Sequence, residues 1–87
     1  MYLDFQVTKE NIRKGRKGNP HSCAVALALK DTKKFGYIDV TDQNIWYKFK
    51  NSSYLNKVKV TKKIAKYVKN FDNKKSVKPD TFRIKLS

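Results

Sequence analysis

Residues 23–29 read CAVALAL, and this run sets the tightest limit on what the chain can become. Its alanines favour a helix over a strand. A helix that is apolar on nearly every side must be surrounded by other elements. It cannot span a membrane, because no apolar run in the chain approaches the roughly 18 residues required. At 87 residues the chain is expected to form one domain, residues 1–87, with a small core. The small side chains of the run point to a helix pressed closely against a sheet. Asn19-Pro20 reads as its start, a capping side chain followed by proline at the first helical position. Lys30, Lys33 and Lys34 lie near its other end, where cations suit the helix dipole.

The flanking segments supply the sheet. "LDFQV" puts Leu3, Phe5 and Val7 on one face, and "TFRIKL" does the same with Phe82, Ile84 and Leu86. "FGYIDV" and "NIWYKFK" read as strands, followed by the turn signal "NSS". "YLNKVKV" is a further strand or an irregular approach to the next helix. Thr8 caps a short helix, "KENIRK", which Gly15 stops. Thr61 caps a longer one, "KKIAKYVKNF", with Val60 and Ala65 at the staple positions and Ile64, Val68 and Phe71 on one face. The order β-α-α-β-β-(β)-α-β is α+β. The expected architecture is a small, mostly antiparallel sheet of roughly four or five strands, with two main helices on one face.

Charge bears on the partner. The net charge is +14, from 21 basic and 7 acidic side chains. Residues 46–87 hold 13 of those 21 and only 2 of those 7, and no acidic residue occurs from 43 to 71. Such a field attracts a polyanion: nucleic acid first, an anionic membrane or an acidic protein second. The basic residues are 18 lysines and 3 arginines. That balance suits phosphate contact better than bidentate reading of guanine edges. Drift in an AT-rich genome is the other source of a lysine excess. "MYLDFQV" has no secretory pattern, so a cytosolic setting is expected.

Catalytic constellations are sparse. His21 is the only histidine and Cys23 the only thiol, so an internal disulfide and a zinc cluster are excluded. Two residues apart on a helix, these side chains point to different sides and make a poor nucleophile pair. The carboxylates are scattered. Asp39 and Asp42 could touch a magnesium ion, but two acids beside a turn are usually turn chemistry. The chain reads as a binding protein, with no catalytic residue, cofactor or metal.

Three basic constellations stand out. Gly15-Arg16-Lys17-Gly18 fits the G-x-x-G loop with which KH domains clamp a nucleic-acid backbone, and the order of elements around it resembles a KH module. Arg13-Lys14 stand where that family has aliphatic residues, and the final strand is additional. The other reading, a capping glycine followed by a flexible basic turn, is favoured because a lone G-x-x-G is a weak signal. On either reading Arg13, Lys14, Arg16 and Lys17 form a basic tip, and free N–H groups of the next helix could assist it. In "IWYKFK", alternation sends Ile45, Tyr47 and Phe49 to the core and leaves Trp46 on the face of Lys48 and Lys50. There Trp46 either stacks on a base or packs beneath a loop or helix with the lysine stems over it. Lys62, Lys63, Lys66 and Lys69 form a helical stripe joined by Lys57 and Lys59, all without local acidic partners.

Two blocks at opposite ends carry a family resemblance. "VTKENIRKG" with "NPHSCAVALAL", and "IAKYVKNFDNKKSVKPDTFRIKL", resemble a pattern found in small, largely uncharacterised bacteriophage proteins. In that pattern a Cys-x-x-Ala-x-Ala-Leu helix follows a glycine stop, and Phe-Asp, a turn and Pro-x-x-Phe lead into a last strand. Ala24 stands where the pattern commonly has proline, and its members are less basic. The resemblance implies a phage protein acting in the cytoplasm of a bacterial host and supplies no activity. The expected function is nucleic-acid binding, to DNA or RNA, through backbone contacts with little sequence reading. The alternative is an interaction or inhibitor protein that binds an acidic host protein or a defence complex such as a CRISPR effector. A monomer or small homo-oligomer is expected, with no membrane contact.

Overall fold

The computed structural model describes residues 1–86. The chain forms β1 (Tyr2–Val7), α1 (Lys9–Lys14), α2 (Ala24–Asp31), β2 (Phe35–Val40), β3 (Asn44–Phe49), β4 (Asn56–Lys59), α3 (Lys62–Asp72) and β5 (Asp80–Lys85). This is an α+β fold with α2 and α3 as its main helices.

The CAVALAL run becomes the centre of the molecule. Ala24, Val25, Ala26, Ala28 and Leu29 are each at most 2% exposed. α2 packs against α1, α3, β1 and β2, which is why small side chains are needed around it. Its start differs from the expectation at Asn19-Pro20. Cys23 is the N-cap, its Sγ accepting from Ala26 N–H at 3.4 Å. Asn19 instead shapes a turn: its Oδ1 accepts from His21 N–H at 3.0 Å and its carbonyl from Ser22 N–H at 3.2 Å. An Asn-Pro pair begins turns as readily as helices, and here the Pro20 carbonyl accepts from Val40 N–H at 2.8 Å.

The strands divide between two antiparallel sheets, where alternation suggested one. β1 pairs with β5, setting Leu3 opposite Ile84 and Phe5 opposite Phe82. β2, β3 and β4 form a meander, with Ile45 opposite Val58 and Trp46 opposite both Asp39 and Lys57. α2 touches β1 and β2 and so bridges the two sheets. The hydrophobic period tells which face of a strand is buried, not which strand lies beside it. β2 also carries a register shift at Gly36. Phe35 and Ile38 both turn inward while Tyr37 turns outward, 37% exposed.

The two capped helices form as expected. Thr8 and Asn11 make a reciprocal capping box, and Asn11, only 4% exposed, also donates from Nδ2 to Asp31 Oδ2 at 2.8 Å. Thr61 Oγ1 accepts from Ile64 N–H at 3.2 Å. Ile64, Tyr67, Val68 and Phe71 are the buried face of α3. Tyr67 donates its hydroxyl to the Lys78 carbonyl at 2.7 Å, and burial, then the Asp80 charge, push its pKa up to about 12. α1 ends at Gly15, whose φ of -66° any residue can adopt. Glycine is required there by space: a Cβ would stand 2.8 Å from Ala24 N, 2.8 Å from Asn11 O and 2.9 Å from Phe71 Cζ.

Candidate nucleic-acid interface

The meander has one apolar and one polar face. Ile38, Val40, Ile45 and Tyr47 are buried on the first. The register sets Tyr37, Asp39, Trp46, Lys48, Lys57, Asn44 and Lys59 on the second. Each outward ring there carries an ammonium. Lys57 Nζ lies 5.2 Å from the centroid of Trp46, and Lys48 Nζ lies 5.7 Å from that of Tyr37, both within cation–π range. Trp46 is half-buried, consistent with a ring lying on the sheet under a lysine. One oxygen of Asp39, Oδ1, is buried on this face without a hydrogen-bond partner.

The surface continues onto α3. Lys59 and Lys62 line one shallow cleft of about 470 Å³ with Asp42 and Ala65. Lys62 and Ala65 also line the next one, of about 440 Å³, with Lys66, Lys69 and Lys75. A basic track thus runs from Lys48 and Lys57 over Lys59 and Lys62 to Lys66 and Lys69. Lys48, Lys50, Lys57, Lys59, Lys62 and Lys66 make no ion pair among the described residues, whereas Lys69 lies 3.9 Å from Asp42. Lys50 stands just past β3, where its N–H donates to the Lys34 carbonyl at 3.1 Å.

Other residues of the sequence-derived set are placed differently. Lys63 leaves the helical stripe. Its Nζ donates to Asp80 Oδ1 at 3.1 Å and to the Thr81 carbonyl at 2.9 Å, and it lies over the Phe82 ring. The absence of a local acidic partner in sequence misled here, because β5 brings Asp80 back in space. The N–H of Thr81 and then Lys63 hold the Asp80 carboxyl below its ordinary value. Arg13 and Lys14 both pair with Glu10, one turn earlier on α1, and lower its pKa in that order.

The Gly15–Gly18 loop is built into the fold. Arg16 N–H donates to the Ser22 carbonyl at 2.8 Å, and Lys17 Nζ lies 4.6 Å from the Phe71 centroid. Gly18, with φ of 74°, donates its N–H to Asp72 Oδ1 at 2.9 Å. The start of α2 has no free N–H face for a phosphate: Ala24, Val25 and Ala26 are fully buried and Cys23 occupies the cap. Arg16 and Lys17 remain exposed at the C-terminal end of α3. Gly18 shares a cleft with Lys69 there, but Asp42 and Asp72 line it too and dilute its positive charge.

Sequence reading missed two aromatics. Tyr37 was hidden by the shift at Gly36, since strict alternation buries it with Phe35. Tyr54, 72% exposed, sits with Leu55, 46% exposed, in the β3–β4 loop beyond Lys50. In the sequence, the turn residues Asn51, Ser52 and Ser53 just before it are the signal that it lies in a loop. The remaining polar groups have structural places. Burial raises the Cys23 thiol pKa. His21 lies in the turn before α2, its Nδ1 3.0 Å from the Ile38 carbonyl and its ring edge-on to Tyr37. No cluster of metal-ligating side chains and no helix long and apolar enough to cross a membrane occurs among the described residues.

Comparison with protein-family models, with curated proteins and with solved structures finds no match to this chain. The site therefore rests on its own chemistry.

Proposed function

We propose that this is a phage-encoded binding protein of the bacterial cytoplasm, which holds nucleic acid mainly through phosphate contacts and with little sequence specificity. One observation carries the reading. The lysines that lack acidic partners form a track from the outer face of the meander to α3, and Trp46 and Tyr37 lie on its first part. Unpaired ammonium groups at this density repel one another, and a polyanion relieves that repulsion. Lysine side chains act as point charges, so they neutralise phosphates without reading bases.

Titration of a labelled oligonucleotide at several salt concentrations tests the reading. With about six phosphate contacts, log K is expected to fall against log salt with a slope of about -4 for a single strand and about -5 for a duplex. A slope near zero, or no binding at about 50 mM salt, would overturn it. An acidic host protein is the second reading, favoured by the exposed apolar pair Tyr54 and Leu55 beside the lysines. Capture from host lysate with and without nuclease separates the two. Partners retained after nuclease treatment support the protein reading, and their loss supports nucleic acid.

A further inference from the structure

Tyr37 and Trp46 are neighbours of a particular kind. Asp39 faces Trp46, and Tyr37 faces Lys48, so the two rings lie diagonally on adjacent strands of one face. Diagonal same-face residues are about 7–8 Å apart. Neighbouring bases in a duplex rise by about 3.4 Å and stack on each other, which leaves no base face for a protein ring. Two ring-bearing positions at about twice that spacing suit bases drawn apart, as in an extended single strand.

The charges fit the same occupant. The ammonium groups over the rings have no acidic partner among the described residues. A base stacking on Trp46 would displace Lys57 and free its ammonium for the adjoining phosphate, and Lys48 over Tyr37 offers the same exchange. Asp39 stands on the same face opposite Trp46. Asp39 lies on the edge strand β2, and its carboxyl disfavours phosphate beside Trp46 on that side. Phosphates then run beside Lys48, Lys57 and Lys59.

We propose, resting on the nucleic-acid reading above, that the ligand is a single strand lying across the outer face of β2, β3 and β4, with bases stacked on Trp46 and Tyr37. The chain has one tryptophan, so its emission reports that ring alone. The experiment titrates the protein with an oligothymidine of about twelve nucleotides, a duplex of equal length and inorganic polyphosphate. Binding is followed by anisotropy or competition, and stacking by Trp46 emission. The single strand is expected to bind and quench the emission; the duplex and polyphosphate are expected to bind without quenching. Tyr37→Leu, at an exposed position, should weaken oligothymidine about 5- to 150-fold and leave polyphosphate unchanged. Trp46→Leu should do the same. Oligothymidine binding with unaltered emission, equal quenching by the duplex, or unchanged affinity in Tyr37→Leu would overturn the stacking platform while nucleic-acid binding stands. Failure of every nucleic acid to bind would overturn both.

Discussion

The three glycines of this chain offer a test in which one substitution meets three environments. At Gly15 an added methyl group would lie 2.8 Å from two backbone atoms, Ala24 N and Asn11 O, and 2.9 Å from Phe71 Cζ. No flexible side-chain end can simply swing aside. α1, α2 or α3 must shift, and inserting a methyl group into such packing costs about 1–3 kcal/mol, with this site at the upper end. At Gly18 there is open space but φ is 74°, so alanine loses only conformational energy, about 1–2 kcal/mol. At Gly36 the methyl would meet Lys50 Cα and Phe49 O at 3.8 Å, ordinary contact, with no left-handed backbone. Gly36→Ala is expected within about 0.5 kcal/mol of the parent. Urea unfolding ranks them. With a slope of about 1 kcal/mol per molar, the midpoint should fall by about 2–3 M for Gly15→Ala, about 1–2 M for Gly18→Ala and hardly at all for Gly36→Ala. A midpoint for Gly15→Ala at or above that of Gly18→Ala would refute the packing account.

Further outcomes rest on the ion pairs and the buried hydroxyl. Lys63→Ala should lower the thermal midpoint and leave oligonucleotide affinity within about twofold, whereas Lys66→Ala should leave the midpoint in place and reduce the salt slope by about one unit. The reverse pattern would mean that the track on α3 is drawn wrongly. Tyr67→Phe loses the bond to the Lys78 carbonyl and should destabilise by about 1 kcal/mol at neutral pH. The native Tyr67 pKa is raised from 10.0 to about 12, so its contribution is complete below the ordinary value and lost as pH rises toward the higher one. The phenylalanine variant should lack that alkaline decline in chemical unfolding. Asp4 is held below its ordinary pKa by Arg83, Glu10 by Arg13 and Lys14, and Asp80 by Thr81 N–H and Lys63. Their stabilisation is present above the usual carboxylate range and lost as pH falls through the lowered values. Calorimetry should show a melting temperature that drops on acidification below about pH 4; a rise would contradict the sign.

Local chemistry was legible wherever it depended on near neighbours in sequence. Thr8 and Thr61 cap their helices because a hydroxyl needs only the N–H three residues on. Leu3, Phe5, Phe82 and Ile84 turn inward because alternation is a property of one strand. Pairing was not legible, since β1 carries nothing that names β5 as its partner. Tyr37 escaped notice because a single shift at Gly36 inverts the face of the residues after it in β2. Lys63 and Lys66 differ by three positions on one helix, and only the return of the chain at Asp80 separates a structural lysine from a free one. Trp46 was placed on the lysine face by alternation; that Lys57 covers its ring depends on the β3–β4 register.

The pairing of β1 with β5 sets a timetable for folding. Leu3 meets Ile84, so nearly the whole chain separates these partners. The meander joins neighbours in sequence through short loops. Closing a long loop costs more entropy than closing a short one, and non-local pairing slows folding. The meander is therefore expected to gain protection first in pulse-labelled hydrogen exchange, with β1 and β5 last. On that timetable the surface bearing Trp46 and its lysines takes shape while β1 still lacks a partner.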